Sequence, residues 1–295
     1  MTSPLWPARA SAMALAAVAT GALLLGAAAP PSFAGDPAPQ TTTPQATTPD
    51  AATPAPTTPD ATTPPPATPE SPNPDASDAS KAVVPRAPTR KVSYAARLVV
   101  PVVVRAKPNG KARTVARLNP FGSWNGGPVV LQIAEVRTVR GKRWLRVRLP
   151  TRPNGATGWL PESRVEVSKL RYRITVSRKL HRLTLLRDGR KIGSTRVVIG
   201  APGTPTPSGT FAVLEVVRQP KGEVIGPWAL HLTAHSNVLD NYGGGPGRVA
   251  LHGRSGGLLN DPLGTSRSHG CVRMPNAFIT RLAKVAVEGT PVQIT

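Results

Sequence analysis

Among 295 residues there is a single cysteine, Cys271. A disulfide within the chain is therefore excluded, and a lone thiol is either a small buried hydrophobe or a reactive group. Acids are also scarce: 15 aspartates and glutamates face 37 lysines and arginines, a formal net charge of +22. The imbalance is local. Residues 1–80 hold one basic residue and six acids, whereas residues 81–295 hold 36 basic residues and nine acids. Two familiar site types are missing as well. No Gly-Lys-Ser/Thr follows the glycines of Tyr242–Gly247, so a phosphate cradle is not indicated. No glutamate stands between His231 and His235, so the zinc-protease pattern fails, and the alternative is a pair of ordinary cleft or surface histidines.

What is present begins with Arg9, an Ala/Leu-rich run from about Ala12 to Ala29, and Ser32-Phe33-Ala34. A basic start, an apolar centre and a small-residue end predict a signal peptide over 1–34; an uncleaved membrane anchor is the alternative. No cysteine lies near the run, which excludes lipid anchoring there. Export sets nucleic acid aside as the partner of the cationic part. Anionic cell-wall polymers would attract the same surface in a salt-sensitive way, and a solvated surface with no partner is the plainer reading.

Residues 35–90 are rich in Pro, Thr and Ala, and Thr-Thr-Pro-Asp occurs at 47–50 and again at 57–60. With few large apolar groups to offset ordering entropy, this segment is expected to be a disordered tether. Extended polyproline geometry at about 3.1 Å per residue would let the roughly 45 residues from about Asp36 to Ser80 reach roughly 140 Å.

The remaining chain divides near Leu170. From 91 to 169, short apolar runs (Val99-Val100, Val102–Val104, Val129–Ile133, Trp144–Arg148) alternate with turn signals such as Pro108-Asn109-Gly110 and Pro153-Asn154-Gly155. That pattern predicts a small β domain. Trp144-Leu145-Arg146-Val147 followed by Gly158-Trp159-Leu160 resembles the end of a bacterial SH3-like barrel. The resemblance implies wall or peptide binding, against a spacer whose tryptophans are merely core.

From 170 to 295, strands are predicted at Arg173–Val176, Arg182–Leu186, Val197–Ile199, Phe211–Val217, Trp228–Leu232 and Val249–His252, with Asp188-Gly189 as a type I′ hairpin signal. One late helix is predicted from Asn276 to about Val287, entered at Pro275 and left at Gly289. The fold class expected is mostly β with that single helix.

The chemistry centres on Ser268-His269-Gly270-Cys271. In an extended segment, residues i and i+2 share a face, so His269 is expected to reach the sulfur, favour the thiolate and protonate a departing amine. The backbone amides around Gly270 and Cys271 would serve a nascent oxyanion, each donor being worth roughly 3 to 4 kcal/mol in a transition state.

His252-Gly253, 15 residues before Ser268-His269-Gly270-Cys271, together with Thr204-Pro205-Thr206-Pro207-Ser208-Gly209-Thr210-Phe211 upstream, resembles the signature of the YkuD-type L,D-transpeptidases. The resemblance spans Arg171–Thr295. It implies Cys271 as nucleophile, His269 as base and acid, His252 at the acyl site, Gly270 in the oxyanion segment, and Ser268 and Gly253 lining the substrate site. Arg273 either grips a substrate carboxylate or holds the scaffold. The orienting partner of His269 is left unassigned. Implied too are peptidoglycan stem peptides as donor and acceptor, penem-type β-lactams as inhibitors, and no metal or organic cofactor. An L,D-carboxypeptidase, or a wall-binding protein without catalysis, are the competing functions. Tyr242–Gly247 is expected to be a flexible loop, with a lid as the alternative.

Overall fold

The computed structural model describes residues 87–122, 126–242 and 245–295, all within one compact unit, and its chain is mostly β with one α-helix among the described residues. The signal-peptide reading and most of the tether reading lie outside these residues.

The first sheet is built from β1 (Ser93–Leu98), β2 (Val102–Arg105), β3 (Thr114–Leu118), β4 (Val130–Val139), β5 (Lys142–Arg148), β6 (Thr157–Pro161) and β7 (Val165–Leu170). They pair in the order β3-β2-β6-β5-β4-β1-β7, antiparallel throughout. Alternation does the folding. Leu145 and Val147 on β5 and Leu160 on β6 turn inward to join Val104, Leu131 and Ile133 in one core, each burial worth about 1.5–3 kcal/mol. Trp144 and Trp159 sit one residue out of phase, on the opposite face. They are nonetheless covered, at 8% and 5% exposure, with the Arg137 guanidinium 5.2 Å from the Trp159 ring centre. The predicted strand at Val99-Val100 is a bend instead, because Pro101 has no N–H to extend a ladder.

The second sheet comprises β8 (Tyr172–Ser177), β9 (Arg182–Arg187), β10 (Arg190–Arg196), β12 (Gly209–Arg218), β13 (Trp228–His235), β14 (Arg248–His252), β16 (Val272–Arg273) and β17 (Pro291–Ile294). Its order is β10-β9-β8-β17-β12-β13-β14-β16. A separate parallel pair joins β11 (Ile199–Gly200) to β15 (Ser266–Ser268). Asp188 and Gly189 have φ of 50° and 79°, the two positive values a type I′ hairpin requires.

Helix α1 (Asn276–Ala283) crosses from β16 to β17 and buries Ile279, Leu282 and Ala283 against the core that holds Phe211, Leu230 and Leu251. It is four residues shorter than predicted. Val285 and Ala286 both donate to the Leu282 carbonyl, tightening the last turn so that Ala286 drops into the core. Gly289 then turns the chain at φ 84°, where a Cβ would meet that of Ala95 at 2.7 Å.

Candidate active site

β14 and β16 run parallel, pairing Leu251 with Val272 and His252 with Arg273, which places Cys271 opposite Ala250. Leu251, Val272 and Met274 point into the core. The alternate set, Ala250, His252, Cys271 and Arg273, therefore faces the other way. His231 on β13 is in register with Ala250 and so belongs to that same face.

Cys271 is half-buried, and its sulfur accepts the Ala250 amide at 3.4 Å. Burial raises its thiol pKa above the ordinary value, and the Ala250 amide and the Arg273 charge oppose that rise without overcoming it. His252 is buried, and its Nδ1–H donates to the Gly253 carbonyl at 2.7 Å, which fixes the ring and leaves Nε2 as the basic nitrogen. Its pKa falls to about 4, burial being the main cause; the Gly253 and Ile225 carbonyls lift it, while the Arg273 and His231 charges lower it. The resting pair is thus a neutral thiol and a neutral imidazole. Desolvation penalises the charged form of each.

His269 lies elsewhere. Residues 269 and 270 form a bend with Gly270 at φ 117°, so the extended i, i+2 geometry is lost. The His269 ring is exposed, and no hydrogen bond joins it to the sulfur among the described residues. Its Nδ1 is 3.3 Å from the Tyr242 hydroxyl, with ring centres 5.3 Å apart.

The bend is held from behind. Ser268 Oγ donates to the Cys271 carbonyl at 2.6 Å and accepts the Gly270 amide at 3.1 Å. The Gly270 amide is consequently engaged, and the Cys271 amide is the donor without a partner among the described residues. Ser268, expected to line the substrate site, is buried and braces the loop instead. Thr206, 1% exposed, accepts the Gly200 amide and donates to the Gly270 carbonyl, both at 2.8 Å, and Thr204 Oγ1 donates to the Ser268 carbonyl. Gly200 makes the approach feasible, since a Cβ there would meet the Thr204 carbonyl oxygen at 2.2 Å. The proline-threonine segment thus serves as the buttress of the 268–270 bend.

Gly253 is also a close-approach residue: a Cβ would lie 2.2 Å from Asn276 Oδ1, which accepts the Arg254 amide. Arg273 is buried, and its Nη1 donates to Asp261 Oδ2 at 2.5 Å. This pair holds the 256–265 loop to β16. Asp261, Asn276, Thr206 and Tyr242 went unrecognised as site residues from sequence. Thr206 sat in the proline-threonine motif and Tyr242 in the glycine-rich segment read as a loop or lid, and nothing in the spacing of Asp261 or Asn276 pairs them with Cys271. Among the described residues no three His, Cys, Asp or Glu side chains converge as metal ligands.

The chain is similar to known proteins over its second half. Residues 171–294 match the family described as YkuD, L,D-transpeptidase catalytic domain. The YkuD protein of Bacillus licheniformis is 32% identical over 127 residues, covering 42% of this chain and 66% of that protein. The Bacillus subtilis YkuD protein is 30% identical over 125 residues, covering 42% and 65%. The chain thus spans just under two thirds of these relatives. L,D-transpeptidase 3 from Mycobacterium tuberculosis, solved with a faropenem-derived adduct, overlays with a TM-score of 0.35 at 17% identity, covering 55% of this chain and 97% of that one.

Proposed function

We propose that the protein is an exported L,D-transpeptidase that forms cross-links between third residues of peptidoglycan stems through a Cys271 thioester. The observation that carries this reading is the strand register. Cys271 and His252 share one face of two paired strands, and the Gly253 carbonyl orients the imidazole. The family match over 171–294 supports the substrate class, and Arg9 with the apolar run behind it supports export.

In this mechanism His252 Nε2 takes the thiol proton as sulfur attacks the carbonyl carbon of the third stem residue. The carbonyl electron pair moves onto oxygen, which the Cys271 amide receives. Collapse breaks the bond to the terminal D-alanine, whose nitrogen takes the proton from His252. The side-chain amine of a second stem then attacks the thioester, an amide forms, and its proton passes through His252 to the departing sulfur. His269, beside Tyr242 at the exposed end of the bend, contacts the donor stem. Penem-type β-lactams acylate the same sulfur by opening their strained ring. The first sheet binds wall peptide or polymer, as its SH3-like sequence pattern suggests.

Incubation of the purified protein with disaccharide-tetrapeptides, followed by mass spectrometry, should yield dimers of one tetrapeptide and one tripeptide stem with loss of D-alanine. Tripeptide monomers alone would replace this reading with the carboxypeptidase. No consumption by a protein whose Cys271 remains reduced would overturn both.

A further inference from the structure

The turn between β5 and β6 of the first sheet meets the chain that follows β13. There Arg152 extends its guanidinium across the two legs of chain that follow β13, residues 236–242 and 245–247. Nη1 donates to the Ser236 carbonyl, and Nη2 donates to the carbonyls of Leu239 at 3.0 Å and Pro246 at 3.3 Å. Leu239 belongs to the outgoing leg and Pro246 to the returning one, so a single planar group ties the two legs together. Asn154, two residues on, satisfies both backbone groups of His235 at the end of β13: Nδ2 donates to its carbonyl and Oδ1 accepts its amide. The legs also close on themselves, the Ser236 amide donating to the Gly247 carbonyl and a Gly247 Cβ falling 1.9 Å from the Leu239 carbonyl oxygen. The outgoing leg carries Tyr242, and Tyr242 is the sole described hydrogen-bond partner of the His269 ring.

We propose that Arg152 is a positioning residue for acyl transfer. By tying the carbonyls of Ser236, Leu239 and Pro246 together from the first sheet, it sets Tyr242 against His269 and so orients the exposed half of the site. The role rests on the transpeptidase reading given above. It also gives the first sheet a task in catalysis beyond carrying the second one, because the guanidinium belongs to one sheet and its three acceptors to a loop of the other. Asp240, 93% exposed and 3.3 Å from Nη2, adds little to the clamp. The carbonyl bonds carry it, and those require the guanidinium's shape as well as its charge.

The test uses the full chain and a double-mutant cycle. Acylation of Cys271 by faropenem is timed by intact-protein mass for wild type, Arg152→Ala, Tyr242→Ala and the double variant. Arg152→Ala should slow acylation about tenfold, Tyr242→Ala by a similar factor, and the double variant should be no slower than Tyr242→Ala alone. Alkylation by iodoacetamide, which needs the thiol but not His269, should keep its wild-type rate in all four. Arg152→Lys keeps the charge but not the fork, and should behave like Arg152→Ala; it also stands in if the alanine variant fails to fold. Losses that multiply in the double variant, or an Arg152→Ala rate equal to wild type, would overturn the proposal. Failure of wild type to form any adduct would count against the transpeptidase reading instead. The positioning role would then be decided by the His269 ring proton resonances, which should move in Arg152→Ala and in Tyr242→Ala; resonances unmoved in Arg152→Ala would end it.

Discussion

The two histidines nearest Cys271 occupy opposite kinds of ground. His252 lies on a buried strand, its ring tied to the Gly253 carbonyl and its neighbour chosen by parallel pairing of β14 with β16. His269 lies on an exposed bend, its ring meeting a tyrosine from a loop that the other sheet anchors. Register places a side chain rigidly, since slipping one residue would send Leu251 and Val272 out of the core. A bend places one only as well as its buttresses hold. The teaching is that proximity in sequence, two residues against nineteen, does not rank the partners of a nucleophile.

The largest expected effect separates the sulfur from everything else: Cys271→Ala should abolish cross-linking and the mass shift with faropenem. Next, His252→Ala should reduce the acylation rate by roughly 10²–10⁴, the usual contribution of a positioned base. His269→Ala should cost only about tenfold, the value tied above to the Tyr242 contact. Equal losses at the two positions would dissolve the distinction between the buried and exposed halves, and a larger loss at His269 would reverse it.

Below these in size comes the buttress. Thr206→Val removes two buried hydrogen bonds and should lower stability by about 1–3 kcal/mol in chemical denaturation, with acylation slowed in proportion to the loosening of residues 268–270. A variant of wild-type stability would show that the Thr204–Phe211 segment does not brace the bend.

The pH dependence should be milder, and it sharpens the same contrast. His231, His235 and His252 all have pKa values lowered to about 4, burial leading in each case, with the Arg248 charge next for the first two. The unfolded chain takes up these protons near pH 6.5, so as pH falls from about 6.5 toward 4 the unfolded state gains relative to the folded one, and stability declines. Melting temperature should be level above pH 7 and drop steadily through that window. Iodoacetamide alkylation of Cys271 should titrate at the other end of the pH range, still rising above pH 9, since burial raises the thiol. A plateau by pH 7 would mean a resting thiolate and would restore the ion-paired picture. The smallest effect belongs to the exposed Arg97–Glu166 pair, where Arg97→Ala should change stability by less than about 1 kcal/mol.

How far the chain could be read without coordinates depends on the range of the forces involved. Strand alternation in Trp144–Arg148, the Asp188-Gly189 hairpin and the start of α1 are local, and each stands in the structure where it was expected. The helix end was missed because Ala286 prefers the core to another turn, a preference set by packing partners far along the chain. Val99-Val100 was missed because period-2 apolarity ignores the absent N–H of Pro101.

The residues alone determined that the chain holds one thiol, that the folded part would be strongly cationic, and that it would be mostly β with a late helix. Those properties follow from composition, alternation and turn chemistry. Tertiary structure decided that the His252 and His231 imidazoles share a face with Cys271, that Arg273 turns to Asp261, that Thr206 holds the bend, and that Arg152 reaches across from the other sheet. Each of these is a contact between strands or loops distant in the chain, and such contacts are fixed by register and packing, quantities no short window of residues contains.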